Sequence, residues 1–224
     1  MSAPAPVPFH EPAGEGPAVR GMLHAPADAF DGLVLTHGAG SSSQSPLLVA
    51  LAEALAGQGL AVLRCDLPFR QARAQGPPSP GGAARDREGL RAAARALARV
   101  APQRVSLGGH SYGGRQASLL AAEDPAAATG LLLLAYPLHP PNRPGDLRVA
   151  HYPQLSTPAL FVHGTADPFG SVTELREALG RIPARTALHL EPGVGHDLGA
   201  ARRSRPALRE LAARIAHRWL EFTA

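Results

Sequence analysis

From about residue 18 to the end of the chain, short apolar runs alternate with stretches of helical periodicity. This alternation restricts the fold more than any other feature. A strand followed by a helix and then another strand rejoins one sheet in parallel, so the pattern predicts an α/β fold with a mostly parallel central sheet and helices on both faces. Strands are expected at 18–24, 33–36, 60–65, 104–107, 130–135, 159–162 and 187–190. Helices are expected at 47–56, 85–100, 172–179 and 208–222. The first helix opens on Ser45-Pro46, a capping serine before a proline at the first helical position, and Gly57 stops it. In 85–100, Leu90, Ala94, Leu97 and Val100 share one face, and Arg91, Arg95 and Arg99 form a row that must face water. Leu211, Ile215 and Trp219 make the core stripe of the last helix.

Two proline-rich stretches, 67–82 and 137–157, break the alternation, each where the chain leaves a strand. Ligands of open α/β sheets bind on that side, so both stretches are expected to wall a pocket. Residues 1–17, rich in Pro and Gly, are read as a separate N-terminal segment and 18–224 as a single domain. The segment lacks the basic start and apolar centre of a secretory signal, and no run approaches the ~18 apolar residues of a membrane span. The expectation is a cytoplasmic protein with no membrane partner. Cys65, the one cysteine, lies in an apolar run and is expected to be a buried structural thiol. All 22 basic residues are arginine. With abundant Ala, Pro and Gly, the +4 formal charge fits a codon bias of a bacterial genome better than a nucleic-acid site. The cluster Arg202, Arg203, Arg205 has no interleaved aromatic residues to stack bases and reads as a solvated helix start.

Into this frame falls Gly109-His110-Ser111-Tyr112-Gly113, between the run 104–107 and a helix-like run at 115–122. A nucleophilic serine stands clear of its own backbone on such a strand, sharp turn and helix, and the flanking glycines remove side chains that would clash where strand and helix pass. Asp167 follows the run 159–162, and His196 follows 187–190. Each has a structural reading: a serine caps a helix, an aspartate before proline makes a turn, a histidine between glycines sits in a loop. Their joint placement past three strand ends makes Ser111, Asp167 and His196 the candidate catalytic triad. His196 would take the Ser111 proton, and Asp167 would fix the imidazole tautomer.

An attacked carbonyl becomes an oxyanion, and two N–H donors must already point at it. Tyr112, the residue after the nucleophile, offers one, and Ala39 in Thr36-His37-Gly38-Ala39-Gly40 the other. A phosphate loop over 38–43 fails because no Gly-Lys-Ser/Thr follows and the third glycine of a dinucleotide fingerprint is missing. His163, His189 and His217 lie on or next to strands and helices and are read as structural. Arg70, His139, Arg148 and His151, all in the two walls, are candidate substrate contacts, and arginine there suits a carboxylate. Arg143 is weighed the same way.

Together, His37-Gly38-Ala39-Gly40, Gly109-His110-Ser111-Tyr112-Gly113-Gly114, the segment 163–169 around Asp167 and Gly195-His196-Asp197 resemble the α/β-hydrolase superfamily. Arg64-Cys65-Asp66-Leu67-Pro68-Phe69, Tyr136-Pro137-Leu138-His139-Pro140-Pro141 and Gly164-Thr165-Ala166-Asp167-Pro168-Phe169-Gly170 are similar to a small branch of it. That branch includes bacterial dienelactone-hydrolase-like proteins and the hydrolase-like domains of eukaryotic testis-expressed and NSL-complex proteins. Dienelactone hydrolases proper carry cysteine where this chain has Ser111. The resemblance implies an α/β-hydrolase fold, no cofactor and no metal. Many members insert a helical lid after the strand matching 130–135; only 137–157 is available here, so no full lid domain is expected. The expected function is a serine hydrolase of carboxylic esters or thioesters with a small-molecule partner and no nucleic-acid partner. A non-catalytic interaction module on the same fold is the rival reading.

Overall fold

The computed structural model describes residues 4–79, 81–101 and 103–224; positions 1–3, 80 and 102, in the N-terminal segment, the first wall and just before the fifth strand, lie outside the described residues. Eight strands form one sheet: β1 Val7–Glu11, β2 Val19–His24, β3 Asp31–Thr36, β4 Ala61–Cys65, β5 Arg104–His110, β6 Leu131–Leu134, β7 Ala159–Gly164 and β8 Thr186–Glu191. Their spatial order is β1-β2-β4-β3-β5-β6-β7-β8. β1 and β2 pair antiparallel, β2 and β4 likewise, and all other pairs are parallel. The helices are α1 Pro46–Ala56, α2 Pro68–Ala72, α3 Ala83–Ala98, α4 Tyr112–Glu123, α5 Val172–Leu179 and α6 Arg205–Thr223.

The alternation of side chains along each strand splits the core into two layers. Leu33 and Leu35 of β3, Leu132 and Leu134 of β6, and Leu160 and Val162 of β7 pack against α1 and α6. Val34, Leu131, Leu133, Ala159 and Phe161 pack against α3, α4 and α5. Helices therefore cover both faces, as the near-continuous apolar runs of the parallel strands require. Trp219 is buried on α6 and Cys65 on β4, where burial pushes the thiol pKa up to about 12. Helix α1 begins where Ser45 accepts the Leu48 N–H (3.4 Å) ahead of Pro46.

Two elements escape the periodicity. β1 lies inside the segment 1–17 and forms the sheet edge, a position that tolerates Pro8. α2 is a five-residue helix opening on Pro68 inside the first wall. The row Arg91, Arg95, Arg99 faces outward yet is paired: Arg91 meets Glu88 (2.5 Å) and Asp124 (3.4 Å), Arg95 meets Glu15 (3.5 Å), and Arg99 meets Glu11. Two of these acids belong to the N-terminal segment, tying it to α3. Between β6 and β7 the chain forms one 3₁₀ turn, Tyr152–Gln154, and no longer helix, so the fold carries no lid domain. Among the described residues no helix is long and apolar enough to cross a membrane.

Candidate functional site

The chain reverses direction across the sheet after β3: β4 lies on one side of it and β5 on the other. Loops leaving β3 and β5 then diverge, and a crevice opens at their carboxyl ends. The loop 37–40 and the turn holding Ser111 border that crevice, since Thr36 and Gly109 are register partners.

The turn after β5 is sharp. Ser111 has φ 52° and ψ −114°, a backbone conformation that L-residues adopt at a cost of ~1–3 kcal/mol. Side chains at its glycines have no room: a Cβ on Gly113 would lie 2.6 Å from Thr36 Cγ2 and 2.7 Å from the His37 carbonyl, and one on Gly109 2.8 Å from the Thr36 carbonyl. The turn is closed by the Ser111 N–H donating to Leu134 O (2.8 Å).

Loops after β7 and β8 bring the other two groups. Asp167, whose side chain is fully enclosed, accepts the Phe169 N–H (2.9 Å) and lies 2.8 Å from His196 Nδ1. With Nδ1–H donating to that carboxylate, His196 Nε2 is left to accept, and Ser111 Oγ stands 2.7 Å from it. The Phe169 ring stacks on the His196 imidazole at 4.0 Å between centroids. His110 holds the same residue from behind, its Nε2–H donating to the His196 carbonyl (2.7 Å). Burial lowers the His110 pKa to about 4, so it is neutral at physiological pH.

The loop 37–40 is fixed by a network that sequence reading did not resolve. Buried His37 donates Nδ1–H to the Gly38 carbonyl (2.9 Å) and accepts the Leu67 N–H at Nε2 (3.2 Å), a neutral tautomer consistent with a pKa lowered by burial. In a trans peptide, C=O and N–H point opposite ways. Drawing the Gly38 carbonyl toward His37 therefore turns the Ala39 N–H away from it. Asp66 accepts the Ser43 N–H (2.7 Å), and Arg64 donates to the Ser43 carbonyl. On the other side, buried Asp86 accepts the Tyr112 phenol (2.7 Å) and the Phe69 N–H (3.0 Å), anchoring the residue whose amide follows the serine. Among the described residues, the N–H groups of Ala39 and Tyr112 have no acceptor.

The walls behave unequally. Pro77 and Pro78 from the first, Pro137 and Arg148 from the second, line a cleft of about 620 Å³ with Gly38, Ala39, Ser111, Arg115, Phe169 and His196. Arg70 does not line it: its guanidinium is buried against the carbonyls of Ala39 (2.8 Å), Ala74 (2.7 Å), Gly76 (3.0 Å) and Arg73 (3.2 Å), so the arrangement makes it a brace for its own loop and the Ala39 turn rather than a substrate contact. His139 is also outside it, buried, with Nδ1–H donating to the Pro140 carbonyl (2.8 Å) and Nε2 3.6 Å from Glu174. His151 is set behind Arg115 and Arg148 in an adjoining hollow, its Nε2 2.9 Å from Ser118 Oγ. Arg143 pairs with Asp146. His163 meets the Gly170 carbonyl (2.8 Å), His189 meets Glu191 (3.0 Å) and His217 meets Glu221 (3.2 Å).

Arg115, Phe169, His110 and Asp86 also belong to the site, though their sequence context does not by itself single them out. Arg115 carried a usable signal, because four residues past Ser111 is the same face of a helix. A second hollow, about 390 Å³, lies at the opposite ends of the strands around the Asp31–Arg104 ion pair and brings no base to a nucleophile. Among the described residues no group of three or more His, Cys, Asp or Glu side chains is placed to hold a metal.

The architecture has many solved counterparts. Dienelactone hydrolase from Anabaena variabilis ATCC 29413 shares 24% identity, with 95% of this chain and 96% of that one covered and a TM-score of 0.73. An α/β serine hydrolase without a lid from Xanthomonas campestris shares 19%, covering 98% and 96%, with a TM-score of 0.67. Est1E from Butyrivibrio proteoclasticus, solved with ferulic acid bound, shares 16%, covering 91% and 96%, with a TM-score of 0.71. At these identities the likeness speaks for the fold. The alpha/beta hydrolase domain family matches residues 30–224, which take in β3 to β8 and every helix, and the chain belongs to that family.

Proposed function

We propose that this protein is a serine hydrolase of carboxylic esters or thioesters in which Ser111, His196 and Asp167 act as one unit. The observation that carries the reading is the continuous chain from Ser111 Oγ to His196 Nε2 (2.7 Å) and from Nδ1 to Asp167 (2.8 Å), placed beside a cleft. Ser111 is inert at neutral pH until a base removes its proton, and an imidazole whose Nδ1–H is held by a carboxylate has its free lone pair at Nε2. Attack on the substrate carbonyl places negative charge on its oxygen. The N–H groups of Tyr112 and Ala39 are the donors assigned to it, and their lack of an internal acceptor supports that role. The imidazolium then protonates the leaving alcohol or thiol, and the acyl group remains on Ser111. Water enters, His196 removes its proton, and the acid departs, restoring the serine.

Besides the substrate and one water, each step uses groups of this chain. The stacked Phe169 ring keeps the imidazole plane fixed while its charge changes, and neutral His110 holds its backbone without adding a competing cation. The cleft has no lid over it, which suits small or extended esters in a cytoplasmic setting. The motifs at 64–69 and 136–141 support a dienelactone-hydrolase-like and NSL-related branch; in them Arg64 donates to the Ser43 carbonyl, and the Tyr136 phenol donates to the Arg148 carbonyl of the second wall (2.6 Å). Replacing Ser111 with Ala tests the reading. Turnover of p-nitrophenyl butyrate should fall to background with the thermal unfolding curve nearly unchanged, and retained turnover would contradict the assignment.

A further inference from the structure

The cleft beside Ser111 is lined by two arginines that, among the described residues, have no carboxylate partner. Arg115 stands one helical turn past the nucleophile on α4, its backbone N–H donating to the Ser111 carbonyl (2.9 Å). Arg148 comes from the second wall. Its backbone is held on both sides: the N–H donates to Leu138 O (2.8 Å), and the carbonyl accepts the Tyr136 phenol (2.6 Å). Both residues line the cleft with Ser111 and His196, and both line the adjoining hollow of about 410 Å³ with Leu119, Leu147, Ala150 and His151. Among the described residues no other lines both hollows.

Many arginines elsewhere in the chain are paired, and others that have no carboxylate partner among the described residues, such as Arg20, Arg85 and Arg209, do not line the cleft. Arg87 meets Glu123 (2.9 Å), Arg104 meets Asp31 (2.6 Å), Arg214 meets Glu191 (2.9 Å), and Arg70 meets four carbonyls. Among the described residues, no carboxylate pairs with the side chain of Arg115 or Arg148, and Arg115 Nε is buried without a hydrogen-bond partner. Nearby groups do not fill the gap. Arg143 and Asp146 pair with each other. His151 adds no charge: burial, and then the Arg115 charge, lowers its pKa to about 4. Arg148 has its own pKa lowered by burial first and by Arg115 next. An arginine cannot shed its proton to relieve this repulsion. An oxyanion between two guanidiniums does so, with planar forks that match a carboxylate.

We propose that Arg115 and Arg148 form a carboxylate subsite, so that the preferred substrate is an ester or thioester bearing a second, anionic carboxylate away from the scissile bond. This rests on the serine-hydrolase reading and narrows it to a substrate class. The carboxylate can belong to the acyl group or to the leaving group, and two probe pairs distinguish them. Mono-p-nitrophenyl adipate against p-nitrophenyl hexanoate tests the acyl side; para-acetoxybenzoate against phenyl acetate tests the leaving-group side. In the full chain at low ionic strength, kcat/KM should favour the anionic member of at least one pair by tenfold or more. Arg115→Gln and Arg148→Gln should each lower that ratio at least tenfold, chiefly through KM. Arg148 lies on a loop, so its variant carries the test if the Arg115 variant fails to fold.

The neutral esters separate this inference from its parent. Turnover of the neutral esters with ratios near one, unmoved by either substitution, would overturn the subsite and leave the hydrolase standing. No turnover of any ester, with no labelling of Ser111 by a fluorophosphonate, would overturn both.

Discussion

Arg70 and Arg148 are the same residue type in two proline-rich walls of one cleft, and they are used in opposite ways. Around Arg70, α2 and the following turn curl so that the carbonyls of Arg73, Ala74 and Gly76 converge with that of Ala39 on a single fork. The cation is consumed in shaping the loop that borders Ser111. Around Arg148 the wall fixes the backbone, and the residue lines the cleft together with Arg115. A guanidinium braces a loop where backbone acceptors surround it, and it is left available to a ligand where they do not. One part of the site is thus fully pinned: Ser111, His196 and Asp167, with His37, Arg70 and Asp86 behind them. The other is cationic and uncommitted.

Substitutions can break this contrast. Changes in the pinned part should lower turnover of every ester alike, whereas changes in the cationic part should sort esters by charge. The largest effect is expected from Asp167→Asn, which leaves the contact but reverses the hydrogen-bond requirement at His196 Nδ1: kcat should fall by ~10⁴ for charged and neutral esters equally. Arg70→Ala should follow. Loss of hydrogen bonds from a charged group costs about 1.5–3 kcal/mol each, and disordering the Ala39 turn should lower kcat by ~10² without charge preference, with a lower melting temperature. A charge-dependent loss in that variant would mean Arg70 contacts substrate after all. Arg148→Gln should have a smaller effect, about tenfold, seen only in the ratio of anionic to neutral esters. The smallest is expected from Tyr112→Phe, which removes the phenol donated to buried Asp86 and should cost about 1–3 kcal/mol of stability with a several-fold fall in kcat.

The histidines give a pH prediction of the same kind. His24, His110 and His151 have pKa values lowered from 6.5 to about 4, each by burial first. Between these limits the folded chain binds fewer protons than the unfolded one, so stability that is full above pH 6.5 is lost as pH falls toward 4. Thermal unfolding followed from neutral pH down to about pH 4.5 should give a falling melting temperature. A flat profile would mean these histidines are not held neutral.

Much of the architecture was legible because parallel strands buried on both faces are written as apolar runs, and each of the seven expected runs overlaps a strand. β1 was not, since Val7–Glu11 is a partly exposed edge strand containing a proline, and it exists only by pairing with β2. α2 is too short to show a period. At the site, Ser111, Asp167 and His196 announced themselves by standing just past strand ends between turn residues. Phe169 and His110 could not, because their contacts with His196 join loops far apart in sequence. Nor could composition separate Arg70 from Arg148, as the path of the surrounding carbonyls decides between brace and ligand contact.

The central claim is that Ser111 is an activated nucleophile. Treating the folded protein with a fluorophosphonate and locating the adduct by peptide mass spectrometry tests it most directly. The account predicts stoichiometric modification of Ser111, abolished by unfolding and strongly slowed in Asp167→Asn. Unmodified Ser111 in the folded protein, or labelling no faster than that of the exposed serines, would contradict it.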